Sequence, residues 1–303
     1  MTNAFVLSGG ANLGSVQAGM LVGLLESGIR PDLVVGTSIG AANAAYIAAD
    51  PTTGRAHDLC RVWRGLRSKD VFPIHPLRAL RSVARGGSLF TPDSFWRLVE
   101  RELGYERIED AGIPLRIVAT RFSDGSEVVF ESGSVKDAIL ASTALPLVFP
   151  PHEIDGELYL DGGLSDQVPL QPAVCAGALR VYVLSVGFPC PPPAHHRSPR
   201  AVLVHSIGIL LSQRIRAHSA DLFARPDVEI VQIPPVCTEA GLRDFSKSSS
   251  LIDRARDQTL AFLGGDTPPV CDHAEPAIEK GRADGHVSLP ALRAGVPARE
   301  RAS

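Results

Sequence analysis

Gly36-Thr37-Ser38-Ile39-Gly40 spells G-x-S-x-G, placed between a short apolar run, Leu33 to Val35, and an alanine-rich stretch from Ile39 to Ala49. A serine set in a strained strand-to-helix turn presents its hydroxyl as a nucleophile, and the flanking glycines let neighbouring backbone approach closely. The helix starting behind Ser38 also aims free amides and its dipole at developing negative charge. The bare pattern is weak; its place after an apolar run and ahead of a helix gives it weight. The bland alternative is an αβ turn bounded by Gly36 and Gly40 whose serine merely caps the helix.

A second glycine turn, Ser8-Gly9-Gly10-Ala11-Asn12-Leu13-Gly14, closes the first apolar run. Glycines there leave main-chain amides exposed, as an oxyanion hole or a phosphate cradle requires. Adjacent parallel strands would set this loop beside Ser38, at the carboxyl edge where α/β sheets bind ligands. The spacing is G-G-x-x-x-G rather than G-x-G-x-x-G, and the P-loop lysine is absent, so nucleotide binding is the weaker reading. A turn serving packing alone is the other alternative.

A serine hydroxyl needs a base. Of the nine histidines, His195 and His196 sit in a proline-rich loop, His273 and His286 near the end, and His205 and His218 in a helical segment. His57 and His75 have no site-like context either; His152, near a predicted turn, is the least easily set aside. Asp161 differs: it ends a strand and precedes Gly162-Gly163, which holds a carboxylate at a sheet edge with room for backbone around it. Alone, such an aspartate is more often a turn former.

The elements that must position these groups follow from periodicity. Ala4 to Ser8 reads as a buried strand; Val16, Met20, Leu21, Leu24 and Leu25 recur at helical spacing and stop at Gly28. With the strand before Ser38 and the helix after it, the first fifty or so residues alternate strand and helix, the mark of a parallel α/β layer. Residues 55–112 are more polar and irregular and read as an insertion bordering the site, a candidate cap. Leu115 to Thr120 and Glu127 to Phe130 form a hairpin across Asp124-Gly125. Ser134 caps a helix to about Ala144, and a second hairpin turns at Asp155-Gly156 into Leu158 to Leu160. Further expected elements are a strand from Arg180 to Val186, a loop from Pro189 to Arg200, a helix from Ala201 to His218, a strand from Val228 to Ile233 and a helix from Ser250 to Leu263. Val202, Leu203, Ile207, Leu210 and Leu211 fit a core-facing stripe better than a membrane-facing one. Residues 1–264 thus form one domain, and 265–303, rich in Pro, Ala, Gly and charge, are expected to be disordered.

With 45% hydrophobic and 21% charged residues the chain can bury an ordinary globular core. A net charge of −3 and the lack of any basic cluster give no support for nucleic-acid binding. The five cysteines lack C-x-x-C spacing, which speaks against a zinc site or a disulfide framework and for a reducing compartment. Met-Thr-Asn-Ala offers no leader, and no apolar run is long enough to span a bilayer, so the chain is expected in the cytoplasm with any membrane contact peripheral.

The three blocks together, Gly9 to Gly14, Gly36 to Gly40 and Asp161-Gly162-Gly163, resemble in content and order the signature of the patatin-like phospholipases. Ala141-Ser142-Thr143-Ala144-Leu145-Pro146 and Phe149-Pro150-Pro151 resemble that family's stretch ahead of its aspartate. The resemblance spans roughly residues 4 to 186. It implies a three-layer α/β/α fold with a mainly parallel sheet and a Ser–Asp dyad without histidine. By position, Ser38 is then the nucleophile and Asp161 the general base, with the amides of Gly9, Gly10 and Ala11 as oxyanion donors. The implied substrate is a lipid or other acyl ester, with no metal or organic cofactor. Two positions depart from the usual G-G-G-x-R/K-G: Ala11 replaces the third glycine and Leu13 the basic residue, which would remove a positive charge near the mouth. Gln167 also replaces the usual Asn after Asp166. The Ala11 and Leu13 departures keep open a catalytically silent protein of this fold that binds lipid or a partner. A conventional Ser-Asp-His hydrolase is disfavoured because Ser38 follows only the second strand. Oligomeric state, acyl length and head group stay undetermined by sequence.

Overall fold

The computed structural model of the chain describes residues 2–72, 90, 92–146, 148–186, 225–236, 238 and 244–266. The expected loop 189–200, the expected helix 201–218 with its amphipathic run, and 267–303 of the expected tail lie outside the described residues, as does 73–89 of the expected insertion.

The first strand, β1 (Asn3–Leu7), has its last four residues buried, so it belongs inside a sheet covered on both faces. Phe5 and Leu7 enter one core together with Val34, while Ala4 and Val6 enter the other with Leu33 and Val35. Helix α1 (Gly14–Glu26) crosses from β1 to its parallel neighbour β2 (Leu33–Thr37), and α2 (Ile39–Ala48) follows. The insertion supplies α3 (Thr53–Gly65), capped by Thr52, the short α4 (Ser68–Val71) and α5 (Asp93–Leu103). Then come β3 (Leu115–Arg121), parallel to β2, and β4 (Glu127–Phe130), turned back antiparallel. Helix α6 (Val135–Ser142), capped by Ser134, leads to the hairpin β5 (His152–Ile154) and β6 (Glu157–Asp161). The remaining elements are α7 (Leu170–Cys175), β7 (Arg180–Leu184), β8 (Glu229–Gln232) and α8 (Ser248–Leu263).

The sheet runs β5-β6-β3-β2-β1-β7-β8, with β4 paired to β3 off that path. Strands β3, β2, β1, β7 and β8 are parallel; β4, β5 and β6 add an antiparallel lobe at one side. This is a mixed α/β fold with a mainly parallel central sheet, and helices pack on both of its faces.

Helix α1 is buried from Gly14 to Leu25, more than the single apolar stripe read from its spacing. The cause is α8: a Cβ on Gly19 would lie 2.3 Å from the Ile252 carbonyl oxygen, so only a glycine admits the second helix that closely. Helix α7 has no counterpart in the sequence reading, because six residues carry no measurable period.

Candidate active site

The site is made by strand register. Along β3, Thr37 of β2 pairs with Val118 and Asp161 of β6 pairs with Ala119. Because β4 occupies the opposite edge over Ile117 to Thr120, β2 and β6 share one edge and their carboxyl ends meet there. β2 runs parallel to β3 and β6 antiparallel, so one residue past Thr37 the chain must leave the sheet. It leaves at Ser38, with φ 54° and ψ −127°, in the left-handed range that a residue with a Cβ occupies only when held. The next residue begins α2.

The turn needs its glycines. A Cβ on Gly40 would stand 2.4 Å from the Leu7 carbonyl oxygen and 2.5 Å from that of Ser8, and one on Gly36 would stand 2.4 Å from the Gly40 carbonyl oxygen. These are backbone contacts that cannot rotate away. Gly40→Ala is therefore expected to lower the melting temperature by several degrees and to abolish Ser38 reactivity, measurable by thermal denaturation and by active-site labelling.

The Ser38 hydroxyl donates to Asp161 Oδ2 at 2.6 Å, and the Gly163 amide donates to Asp161 Oδ1 at 2.8 Å. Asp161 is 4% exposed. The Asp161 main chain is fixed too: Thr120 Oγ1 donates to its carbonyl oxygen and its amide donates to the Ala144 carbonyl. Burial pushes the carboxyl from 3.8 up to about 6, against the lowering pull of the Ser38 and Gly163 hydrogen bonds. A carboxylate so raised is a better base than a free one. A carboxylate serving as a base must be ionised; for Asp161 in that role, ester turnover is expected to fall about tenfold per pH unit below about 6, a limb that a pH–rate profile of kcat/KM would display.

Beside this pair lies the glycine turn, because Leu7 of β1 pairs with Gly36 of β2. Gly10 and Ala11 donate their amides to no acceptor among the described residues, and Ala11 has φ 50°. Gly9 does not match the expectation for it: its amide donates to the Gln167 carbonyl at 3.1 Å and is spent there. The Gln167 side chain fills the space between Gly9 and Gly163, occupying the positions a Cβ on either would take. Leu13 is 1% exposed and packs in the core with Val16 and Leu21, so its side chain does not line the mouth.

Of the histidines, His152 lies 2.9 Å from Asp137 and His57 3.3 Å from Glu26; the other seven lie outside the described residues. Neither described histidine is the partner of Ser38.

Three buried residues behind the turn escaped the sequence reading. Gln17 Nε2 donates to the carbonyls of Ser8 and Leu184, Asn43 Nδ2 to Gln17 Oε1 and the Gly14 carbonyl, and Trp63 Nε1 to Asn43 Oδ1. This chain of hydrogen bonds ties α3 of the insertion through α2 and α1 to the carbonyl just before Gly9. Lone polar residues inside the otherwise apolar helices α1 and α2 were the signal that could have found it.

A hydroxyl on a left-handed turn, a buried carboxylate bonded to it and main-chain amides alongside are the parts of a site for acyl transfer by a serine nucleophile. The sequence profile of the patatin-like phospholipases matches residues 5–174, and the chain belongs to this family. Patatin-like phospholipase domain-containing protein 6 of Mus musculus is 32% identical over 188 residues, 61% of this chain and 14% of that protein. Lysophospholipase NTE1 of Saccharomyces cerevisiae is 29% identical over 190 residues, 60% of this chain and 10% of its own. The chain thus spans a small part of these relatives' lengths. Among solved structures, VipD of Legionella pneumophila aligns over 87% of this chain and 67% of its own, with 15% identity and a TM-score of 0.46.

Proposed function

We propose that the protein is a serine acyl hydrolase that cleaves lipid acyl esters through Ser38 and Asp161. The observation that carries this reading is the 2.6 Å hydrogen bond from the Ser38 hydroxyl to a buried carboxylate whose pKa is raised to about 6. Asp161 takes the hydroxyl proton as Ser38 Oγ attacks the ester carbonyl. The oxyanion so formed is held by the amides of Gly10 and Ala11, with the amino end of α2 adding its dipole; each such donor is worth roughly 10²–10³ in rate. Collapse breaks the ester bond, and Asp161 returns its proton to the leaving alcohol. Water, deprotonated by the same carboxylate, then attacks the acyl–serine ester, and the acid leaves with the hydroxyl proton restored to Ser38. Ala11 supplies an amide as readily as glycine would, and Leu13 faces the core, so neither departure removes a part of this machinery.

Family membership and the yeast relative's name, a lysophospholipase, support a lipid ester as the substrate class. No helix among the described residues is long and apolar enough to cross a membrane. In this reading the substrate is taken from a lipid surface by peripheral contact. The unit responsible is residues 1–264, with 55–112 as its cap, to which Trp63 and its link to Asn43 belong.

The test is hydrolysis of 1-acyl lysophosphatidylcholine and of p-nitrophenyl esters by the purified protein. Release of fatty acid above the buffer rate is expected. Binding of the lipid without release would favour the silent protein of the same fold.

A further inference from the structure

Ala141 to Pro146 is a block the proposed chemistry leaves without a role. At the end of β2 the ladder stops with the Thr37–Val118 pair, and the Ser142 side chain is inserted at that point. Its hydroxyl accepts from the Ser38 amide at 2.8 Å and donates to the Val118 carbonyl at 2.6 Å. Ser142 is 0% exposed, so no water stands ready to replace it. Two residues on, the Ala144 carbonyl accepts from the Asp161 amide at 3.0 Å. Between them Thr143 folds back on α6, its amide at 2.9 Å and its hydroxyl at 2.8 Å from the Ile139 carbonyl. One three-residue segment therefore grips both members of the pair by their own main-chain amides.

We propose that Ser142 is a positioning residue that sets the Ser38–Asp161 geometry, the 142–144 segment acting as a fixture between the two chain ends that meet on β3. This rests on the Ser38–Asp161 reading given above. The physical case is one of strain and polarity. Ser38 sits at φ 54° and needs an anchor to stay there. The Ser142 hydroxyl is that anchor, and it uses its donor and an acceptor site at once, so its loss leaves the buried Val118 carbonyl and the part-buried Ser38 amide without these bonds. With the anchor gone the turn relaxes toward ordinary φ, and Ser38 Oγ moves off Asp161 Oδ2.

The experiment compares wild type, Ser38→Ala, Ser142→Ala and Ser142→Cys. Turnover of a p-nitrophenyl ester is normalised to fluorophosphonate-labelled sites and followed against pH. Ser142→Ala is expected to lower kcat per labelled site about 100-fold with KM within twofold. Its acid limb should also move to higher pH, because Asp161 loses the Ser38 hydrogen bond that holds its pKa down. A merely structural role would lower the number of labelled sites and move neither the normalised kcat nor the limb; that result overturns the proposal. Ser142→Cys, close in size and a weak hydrogen-bonding group, is expected to fold and to fall between the two. Should Ser142→Ala fail to fold, a Ser142→Cys enzyme with wild-type kcat overturns the proposal equally. Wild type without turnover or labelling removes the dyad reading, and this proposal with it; active wild type beside an unimpaired Ser142→Ala removes this proposal alone.

Discussion

Ser38→Ala is expected to lower ester hydrolysis by at least about 10⁴-fold, to the level that oxyanion donors and binding supply by themselves. In the proposed mechanism the hydroxyl forms the bond to the acyl group, and among the described residues neither neighbour can take that place: Asp161 is enclosed and the turn amides are donors only. The fold should survive. The variant loses one side-chain hydrogen bond, so the change in stability is expected to stay within about 1–2 kcal/mol, read from denaturant unfolding. Asp161, deprived of a donor, should titrate still higher. Lipid binding should persist, because the substitution removes only one hydroxyl. If hydrolysis instead survived the substitution undiminished, the nucleophile would have to lie elsewhere.

Asp161→Asn is expected to cost a similarly large part of the activity and, in contrast, to stabilise the protein above pH 6. The sign follows from linkage. The folded carboxyl titrates near 6 and the unfolded one near 3.8. Between those values the folded state binds more protons, so the contribution of Asp161 is fully favourable below pH 3.8 and is lost as pH rises through 6. At pH 8 the native state keeps an ionised carboxylate out of water, and the displacement corresponds to roughly 3 kcal/mol as an upper bound. Asparagine has the same shape and no charge to desolvate. Its carbonyl can accept from the Gly163 amide and its NH₂ can face Ser38. Unfolding curves of the two proteins at pH 4 and pH 8 check this: the variant's advantage should be present at pH 8 and nearly gone at pH 4. An active site that costs stability at working pH is the usual consequence of tuning a group for chemistry.

The residues of the pair were legible because their signals are local. Glycines within two positions of Ser38 and next to Asp161 are demanded by close backbone approach, and that demand is written beside them in the chain. The hairpin turns at Asp124-Gly125 and Asp155-Gly156 were legible for the same reason; Gly125, Asp155 and Gly156 take positive φ. What could not be read was anything fixed by distant pairing. Which amide of the glycine turn stays free depends on the Gln167 carbonyl, which claims Gly9 and leaves Gly10 and Ala11. The inward aim of Leu13 follows from the short 3-10 turn Ala11–Leu13 that leads into α1, not from any pattern in the block. The parallel strands announced themselves as apolar runs, but the docking of the β5–β6 hairpin onto the free end of β3 is set by register alone. That docking brings Asp161 to Ser38 across 123 residues of chain. Ser142 lies within the Ala141–Pro146 block, yet its contact with the Ser38 amide spans 104 residues, so nothing local in the block points to it.

The most direct test of the central claim, that Ser38 is a nucleophile made reactive by Asp161, is the site and rate of fluorophosphonate modification. Intact-mass and peptide analysis of the wild type is expected to show one phosphonate per chain, on the peptide containing Ser38. In Asp161→Asn the same adduct should form at least about 100-fold more slowly, while circular dichroism stays unchanged. An adduct on another residue, or wild-type and Asp161→Asn proteins labelled at equal rates, would contradict the account.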